Sequence, residues 1–257
     1  MMSRGVSVGV LLTAALVAGC GGNGASSGEA AAKPALIVSA AASLTEALTS
    51  CSSQFDQATV RLSFAGSDEL AAQIRQGVEP DVYAAANTKL PEALNQERLV
   101  LEPRVFASND LVVAVPADSE IRSVDQLTRP GPTVVLGSES VPIGSYTREV
   151  LARLGDRQGA AVLANVRSNE SDVKGVVGKL TQGAADAGYV YASDVDATGG
   201  RLRAVRLPER LQPTVAYGVA VVDGAPQPDA ARAYVEDLIS GRCARALEQA
   251  EFGPPPG

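Results

Sequence analysis

Apolar residues fall along this chain in two alternating rhythms. Short, nearly continuous apolar runs lie at Ala35–Ser39, Val60–Phe64, Val82–Ala85, Leu111–Val115, Thr133–Leu136, Ala161–Val166, Ala187–Tyr191, Leu202–Leu207 and Val215–Val222. Each predicts a buried strand. Between most of them apolar residues recur at three- and four-residue spacing, as at Leu70 and Ile74, or at Val173, Val176, Val177 and Leu180. That spacing puts one apolar face on a helix. Strand and helix in alternation predict an α/β fold with mainly parallel sheets covered by helices. No internal repeat of fixed period is visible in the residues.

Two of the strand-like runs are bounded by proline: Pro116 follows Leu111–Val115, and Pro213 precedes Val215–Val222. If both runs cross between lobes, the middle of the chain forms one lobe and its two ends form the other. The expected division is 34–112 with 216–257 in the first lobe and 113–215 in the second. A cleft then lies between the lobes and a hinge at the crossings.

The helix starts carry the candidate chemistry. The first strand delivers small residues and Ser43 to a helix marked by Leu44, Ala47, Leu48, Cys51 and Phe55, and Ser43 with Glu46 reads as a capping box. Ser67 precedes a second helical run, Ile143-Gly144 opens a third, and Ser171-Asp172 opens a fourth. A helix N-terminus presents unpaired N–H groups and the positive end of its dipole. One alone is an ordinary cap. Four of them, two per lobe, could converge on one small volume and hold a compact anion by donors alone.

Charge and composition narrow the classes. Lys and Arg number 22 against 29 Asp and Glu, for a net charge of −7. This leaves no basic patch for nucleic acid, while local N–H dipoles can still oppose the net field around a small anion. The chain has no histidine, which removes the Ser-His and Cys-His nucleophile pairs and the commonest metal ligand. Ser171-Asp172-Val173-Lys174 fits the Ser-x-x-Lys signature of exported serine hydrolases, but the partner motifs Ser-Asp-Asn and Lys-Thr-Gly are absent. A serine hydrolase is therefore the alternative from another class, and the expectation is that the chain is not an enzyme.

The N-terminus reads as an address. Arg4, the apolar stretch Val6 to Val17, and the ending Val17-Ala18-Gly19-Cys20 predict a signal peptide over residues 1–19, too short to span a bilayer permanently. The small residues before Cys20 resemble a lipobox, which makes Cys20 the lipidated first residue of an exported, membrane-anchored chain. Residues 20–33 are rich in Gly, Ser and Ala and predict a flexible tether with a reach of about 20 Å. Cys51 and Cys243 remain, and an exported compartment permits their bridging, with two buried free thiols as the alternative. Gly253 to Gly257 reads as a loose tail.

The order of short motifs adds a resemblance. Ala40-Ala41-Ala42-Ser43-Leu44 is followed by Phe64-Ala65-Gly66-Ser67, Leu70, Gln73-Ile74, Gly77 and Pro80-Asp81-Val82. Then come Val141-Pro142-Ile143-Gly144 with Tyr146, Asp172-Val173-Lys174, and Gly188-Tyr189-Val190-Tyr191 with Ser193-Asp194. In this order and spacing the chain, from Pro34 to Phe252, resembles the molybdate-binding proteins of bacterial ABC transporters, a branch of the type II periplasmic binding proteins. The resemblance implies a monomeric two-lobed protein that needs no cofactor, binds molybdate and also tungstate, and delivers it to an ABC permease. It also implies the contacts: hydroxyls and amides of Ser43 and Ser67, backbone amides of Ile143 and Val173, and the phenol of Tyr191. Tyr189 is assigned to the other strand face and to structure. Gly66 stands where relatives often carry another serine, an expected loosening of one wall. None of the five contacts is a carboxylate, which suits a fully deprotonated oxyanion and leaves sulfate as the nearest alternative ligand.

Overall fold

The computed structural model describes residues 33–256. The expected signal peptide, Cys20 and nearly all of the expected tether lie outside them. Among the described residues ten strands form two sheets of five. The first sheet has β1 (Ala35–Ala41), β2 (Thr59–Ala65), β3 (Val82–Ala85), β4 (Arg104–Asn109) and β10 (Val215–Val221), in the order β2-β1-β3-β10-β4. The second has β5 (Leu111–Pro116), β6 (Val134–Gly137), β7 (Val166–Glu170), β8 (Ala187–Tyr191) and β9 (Leu202–Arg206), in the order β7-β6-β8-β5-β9. The two orders match position for position. In each sheet the first three strands are parallel, and the fourth (β10 or β5) is antiparallel to both neighbours. Four strands of each sheet therefore run one way and one runs back, because that one enters directly from the other lobe.

Both crossings lie in connections rather than in the strands. Asn109 ends β4 opposite Val215, and Leu111 begins β5 opposite Tyr191, so the chain changes sheets at Asp110. It returns between Arg206 and Val215. β5 and β10 each stay in one sheet.

Helices α1 (Thr45–Ser52), α2 (Ser67–Arg75), α3 (Lys89–Gln96), α8 (Pro228–Ser240) and α9 (Arg242–Gln249) flank the first sheet. Helices α4 (Pro142–Leu154), α5 (Asp156–Ala164), α6 (Val173–Thr181) and α7 (Ala192–Asp196) belong to the second lobe. The strand expected at Ala161–Val166 is instead the end of α5 followed by β7. A short apolar run does not distinguish strand from helix, and the alanines at 160, 161 and 164 favour helix. β4 was not visible in the apolar pattern, since its apolar run, residues 105–107, is only three long.

Several motif residues are structural. Asp81, 1% exposed, accepts the N–H of Ile37 and of Gln227, each at 2.7 Å, and so ties β1 to the start of α8. Gly77 ends α2 at φ +92°, a conformation that favours glycine. Cys51 on α1 and Cys243 on α9 are bridged, with Cα atoms 5.1 Å apart. Gly253 is no loose tail: it pairs with Ser108 on β4 through reciprocal backbone bonds of 2.9 and 3.0 Å.

Candidate functional site

Ser43, Ser67, Ile143, Val173 and Tyr191 all line one cavity between the lobes. Its volume of about 20 Å³ is on the scale of a water or a single compact ion, far below the hundreds of Å³ of sites for larger organic ligands.

The first lobe contributes two hydroxyls. Ser43 lies within a 3-10 turn (Ala42–Leu44) ahead of α1, with Ala41 at the cap position and no side-chain cap bond. The capping box with Glu46 does not form, because Ser43 sits one residue inside the turn. Its Oγ instead meets the Tyr217 phenol at 3.0 Å, a bond in which either oxygen can donate; with Tyr217 as donor, the Ser43 proton is free for another acceptor. Ser67 begins α2, and its Oγ accepts the Ala86 N–H at 3.1 Å. Its own O–H proton is therefore free to donate.

The second lobe contributes helix starts and a phenol. Pro142 opens α4, where its lack of an N–H costs nothing. The first helical bond runs from Ser145 N–H to Val141, leaving the Ile143 amide without an intrahelical acceptor. Gly144 is required by space: a Cβ there would stand 1.8 Å from the Ser138 carbonyl oxygen. Asp172 caps α6 by accepting the Gly175 N–H at 2.8 Å, and the Val173 amide is likewise in the unpaired first turn. Tyr191 ends β8, 1% exposed, and its phenol oxygen has no partner among the described residues. An unpaired buried hydroxyl costs about 1–3 kcal/mol, so this group is arranged for something that enters the cavity.

Strand alternation does not separate Tyr189 from Tyr191 as expected, since residues two apart share a face. Both phenols are buried and unpartnered; only Tyr191, at the strand end, lines the cavity. Burial pushes the Tyr191 phenol well above the usual tyrosine range, reinforced by Tyr217, Tyr146 and Asp194. It stays protonated and can only be an O–H group at ordinary pH.

Among the described residues no Lys or Arg lines the cavity. The nearby cation is Lys174, next to Val173, which pairs with Glu46 at 2.7 Å and with Asp194 at 3.2 Å. Burial works against its charge, but Asp194 and Glu46 outweigh burial and hold the ammonium above the ordinary lysine range. Burial raises Asp194 to about 6, against the lowering effect of Lys174. The Ser-x-x-Lys motif is thus occupied: Asp172 caps its helix and Lys174 joins carboxylates.

Sequence reasoning missed Tyr217, Asp194 as a partner of Lys174, and Asp172 as a lining residue. The only signal for Tyr217 was an aromatic with a polar tip inside an apolar strand; its pairing with Ser43, 174 residues away, left none. Gly66 does not loosen the wall. A Cβ there would stand 2.5 Å from the Ser171 carbonyl oxygen of the other lobe.

A family description of bacterial extracellular solute-binding proteins matches residues 36–252. The molybdate-binding protein ModA of Mycobacterium tuberculosis is 38% identical over 264 aligned positions, covering 98% of each chain. The periplasmic molybdate-binding protein of Azotobacter vinelandii has the same fold, with a TM-score of 0.77 at 19% identity, over 86% of this chain and 100% of that one. The sulfate-binding protein SubI from Mycobacterium tuberculosis H37Rv is also similar in fold, with a TM-score of 0.74 at 17% identity, over 86% and 87%.

Proposed function

The chain belongs to the bacterial extracellular solute-binding proteins, and from that premise we propose that it captures molybdate outside the cell membrane and hands it to an ABC permease. Its relatives are solute-binding proteins, and it is not an enzyme. The observation that carries the ligand reading is the unpartnered Tyr191 phenol in a cavity otherwise offering serine hydroxyls and first-turn amides. Molybdate is fully deprotonated near neutral pH and accepts hydrogen bonds only. Each bond to a charged partner contributes about 1.5–3 kcal/mol net, so a few of them suffice for tight binding without a basic side chain.

The ligand contacts in this reading are Ser43, Ser67, Ile143, Val173 and Tyr191. Asp172, the one lining carboxylate among the described residues, is engaged with its own helix and is not assigned to the ligand. Tungstate, with the same charge and shape, binds in the same way, and no cofactor takes part. The protein acts as a monomer, and Cys20 carries the lipid that holds it at the outer face of the membrane. The Val17-Ala18-Gly19-Cys20 ending supports that anchoring, and mass spectrometry of the mature N-terminus tests it.

Parallel calorimetric titration with molybdate, tungstate, sulfate and phosphate tests the ligand. Molybdate and tungstate are expected to bind comparably and more tightly than the other two. Sulfate binding as tightly as molybdate refutes the assignment.

A further inference from the structure

Gly66 has φ −58° and ψ 136°, an extended conformation open to any residue. Its backbone does not require glycine. What requires it is the opposite lobe: an added Cβ would stand 2.5 Å from the Ser171 carbonyl oxygen and 3.5 Å from Val141 Cγ1. Both partners belong to the second lobe, one just before α6 and the other just before α4. The next residues along those segments, Asp172 and Val173, Pro142 and Ile143, line the cavity. On the first lobe Gly66 is followed by Ser67, which lines it too. The bare backbone at 66 is therefore a place where the two halves of the site meet closely.

The Ser171 oxygen belongs to backbone and cannot rotate away as a side chain would. Its carbon lies between β7 and the capped start of α6, where the Asp172 cap holds the turn. The remaining close neighbour, Asp68 Oδ1 at 2.9 Å, is on Gly66's own lobe at the end of a side chain that can turn. A side chain at 66 is thus compatible with each lobe separately and incompatible with the approach that the two lobes make in this chain.

We propose that Gly66 sets how far the cleft closes, and so sets affinity for the oxyanion without touching it through a side chain. The proposal rests on the molybdate reading for its ligand but not for its geometry. A Cβ at 66 holds Ser171 away, which moves the Val173 and Ile143 amides back from the Ser43 and Ser67 hydroxyls. Bonds from one lobe survive and those from the other lengthen.

The test uses Gly66→Ala and Gly66→Val, each titrated with molybdate beside the unaltered protein, melted without ligand, and crystallised. Expected are a loss of affinity of about tenfold or more for alanine, a larger loss for valine, and an unchanged ligand-free unfolding midpoint. Expected too is a Ser171 carbonyl displaced from residue 66 in both crystal structures. An unchanged affinity overturns the proposal, as does a Ser171 carbonyl still seated against the new side chain, or a lowered midpoint that accounts for weak binding by misfolding. An unaltered protein that fails to bind molybdate refutes the ligand reading instead, and the position of Ser171 in the variants then decides the role of Gly66 on its own.

Discussion

Lys174 Nζ on α6 lies 2.7 Å from Glu46 Oε2 on α1, an ion pair that joins the second lobe to the first. Lys174 follows Val173, and Glu46 lies three residues after Ser43, so the pair ties together two segments that line the cavity. The side chains are 28% and 50% exposed, and a pair of that kind is worth about 0.2–1 kcal/mol. Glu46→Gln is expected to weaken molybdate by up to about fivefold at low salt. At about 1 M salt, where the Debye length is about 3 Å, parent and variant are expected to converge. Calorimetry at both salt concentrations checks this; an effect that persists at high salt contradicts an electrostatic clasp.

Asp194 sets a pH dependence of stability. Its folded pKa, about 6, lies above the ordinary 3.8 because burial outweighs Lys174. The folded state therefore holds more protons than the unfolded one between those values, and this group's contribution to stability falls as pH rises through that window. Above about 6 the penalty is complete. Relative to Asp194→Asn, the parent is expected to gain about 1 kcal/mol between pH 7 and pH 5. Denaturant titrations of both proteins at the two pH values measure the difference, and a parent that loses ground on acidification contradicts the raised pKa.

The Cys51–Cys243 bridge closes a separation of 192 residues, for which the chain-entropy treatment gives roughly 5 kcal/mol and practice often less. Replacing both cysteines by serine is expected to lower the unfolding midpoint sharply. Molybdate affinity at low temperature is expected to hold, because α1 still packs against α9 and neither cysteine lines the cavity. Thiol counting on unfolded, unreduced protein without Cys20 is expected to find none.

The alternation of strands and helices was legible because burial on both faces writes itself as apolar runs, and helix faces as three- and four-residue spacing. The failures follow the same rule. Ala161–Val166 is apolar in either conformation, and the three consecutive apolar residues inside Arg104–Asn109 are too short a run to announce an edge strand. The two sheets share one strand order, yet no sequence repeat reveals it, because a sheet constrains burial rather than residue identity. The five cavity residues were brought forward by the ordered motifs. The Tyr217 contact to Ser43 and the Gly66 approach to Ser171 were not, since each joins segments whose proximity only the closed fold creates.

The hydroxyl groups facing the cavity from opposite lobes are expected to respond differently to removal. Tyr191→Phe deletes a buried phenol oxygen that has no partner, so ligand-free stability should hold or rise while molybdate affinity falls by roughly 1.5–3 kcal/mol, about ten- to a hundredfold. Ser43→Ala should cost affinity by a similar amount, but it also leaves the Tyr217 phenol, now bonded to Ser43 at 3.0 Å, short of a buried partner. That variant is expected to lose about 1–3 kcal/mol of ligand-free stability as well. Ser67→Ala resembles Ser43→Ala, because the Ala86 N–H loses its acceptor. Ile143→Ala keeps the backbone N–H and is expected to change affinity least. Calorimetry and ligand-free melts on the four variants separate the outcomes. A Tyr191→Phe variant that loses stability but keeps its affinity would place the phenol in the core and not in the site.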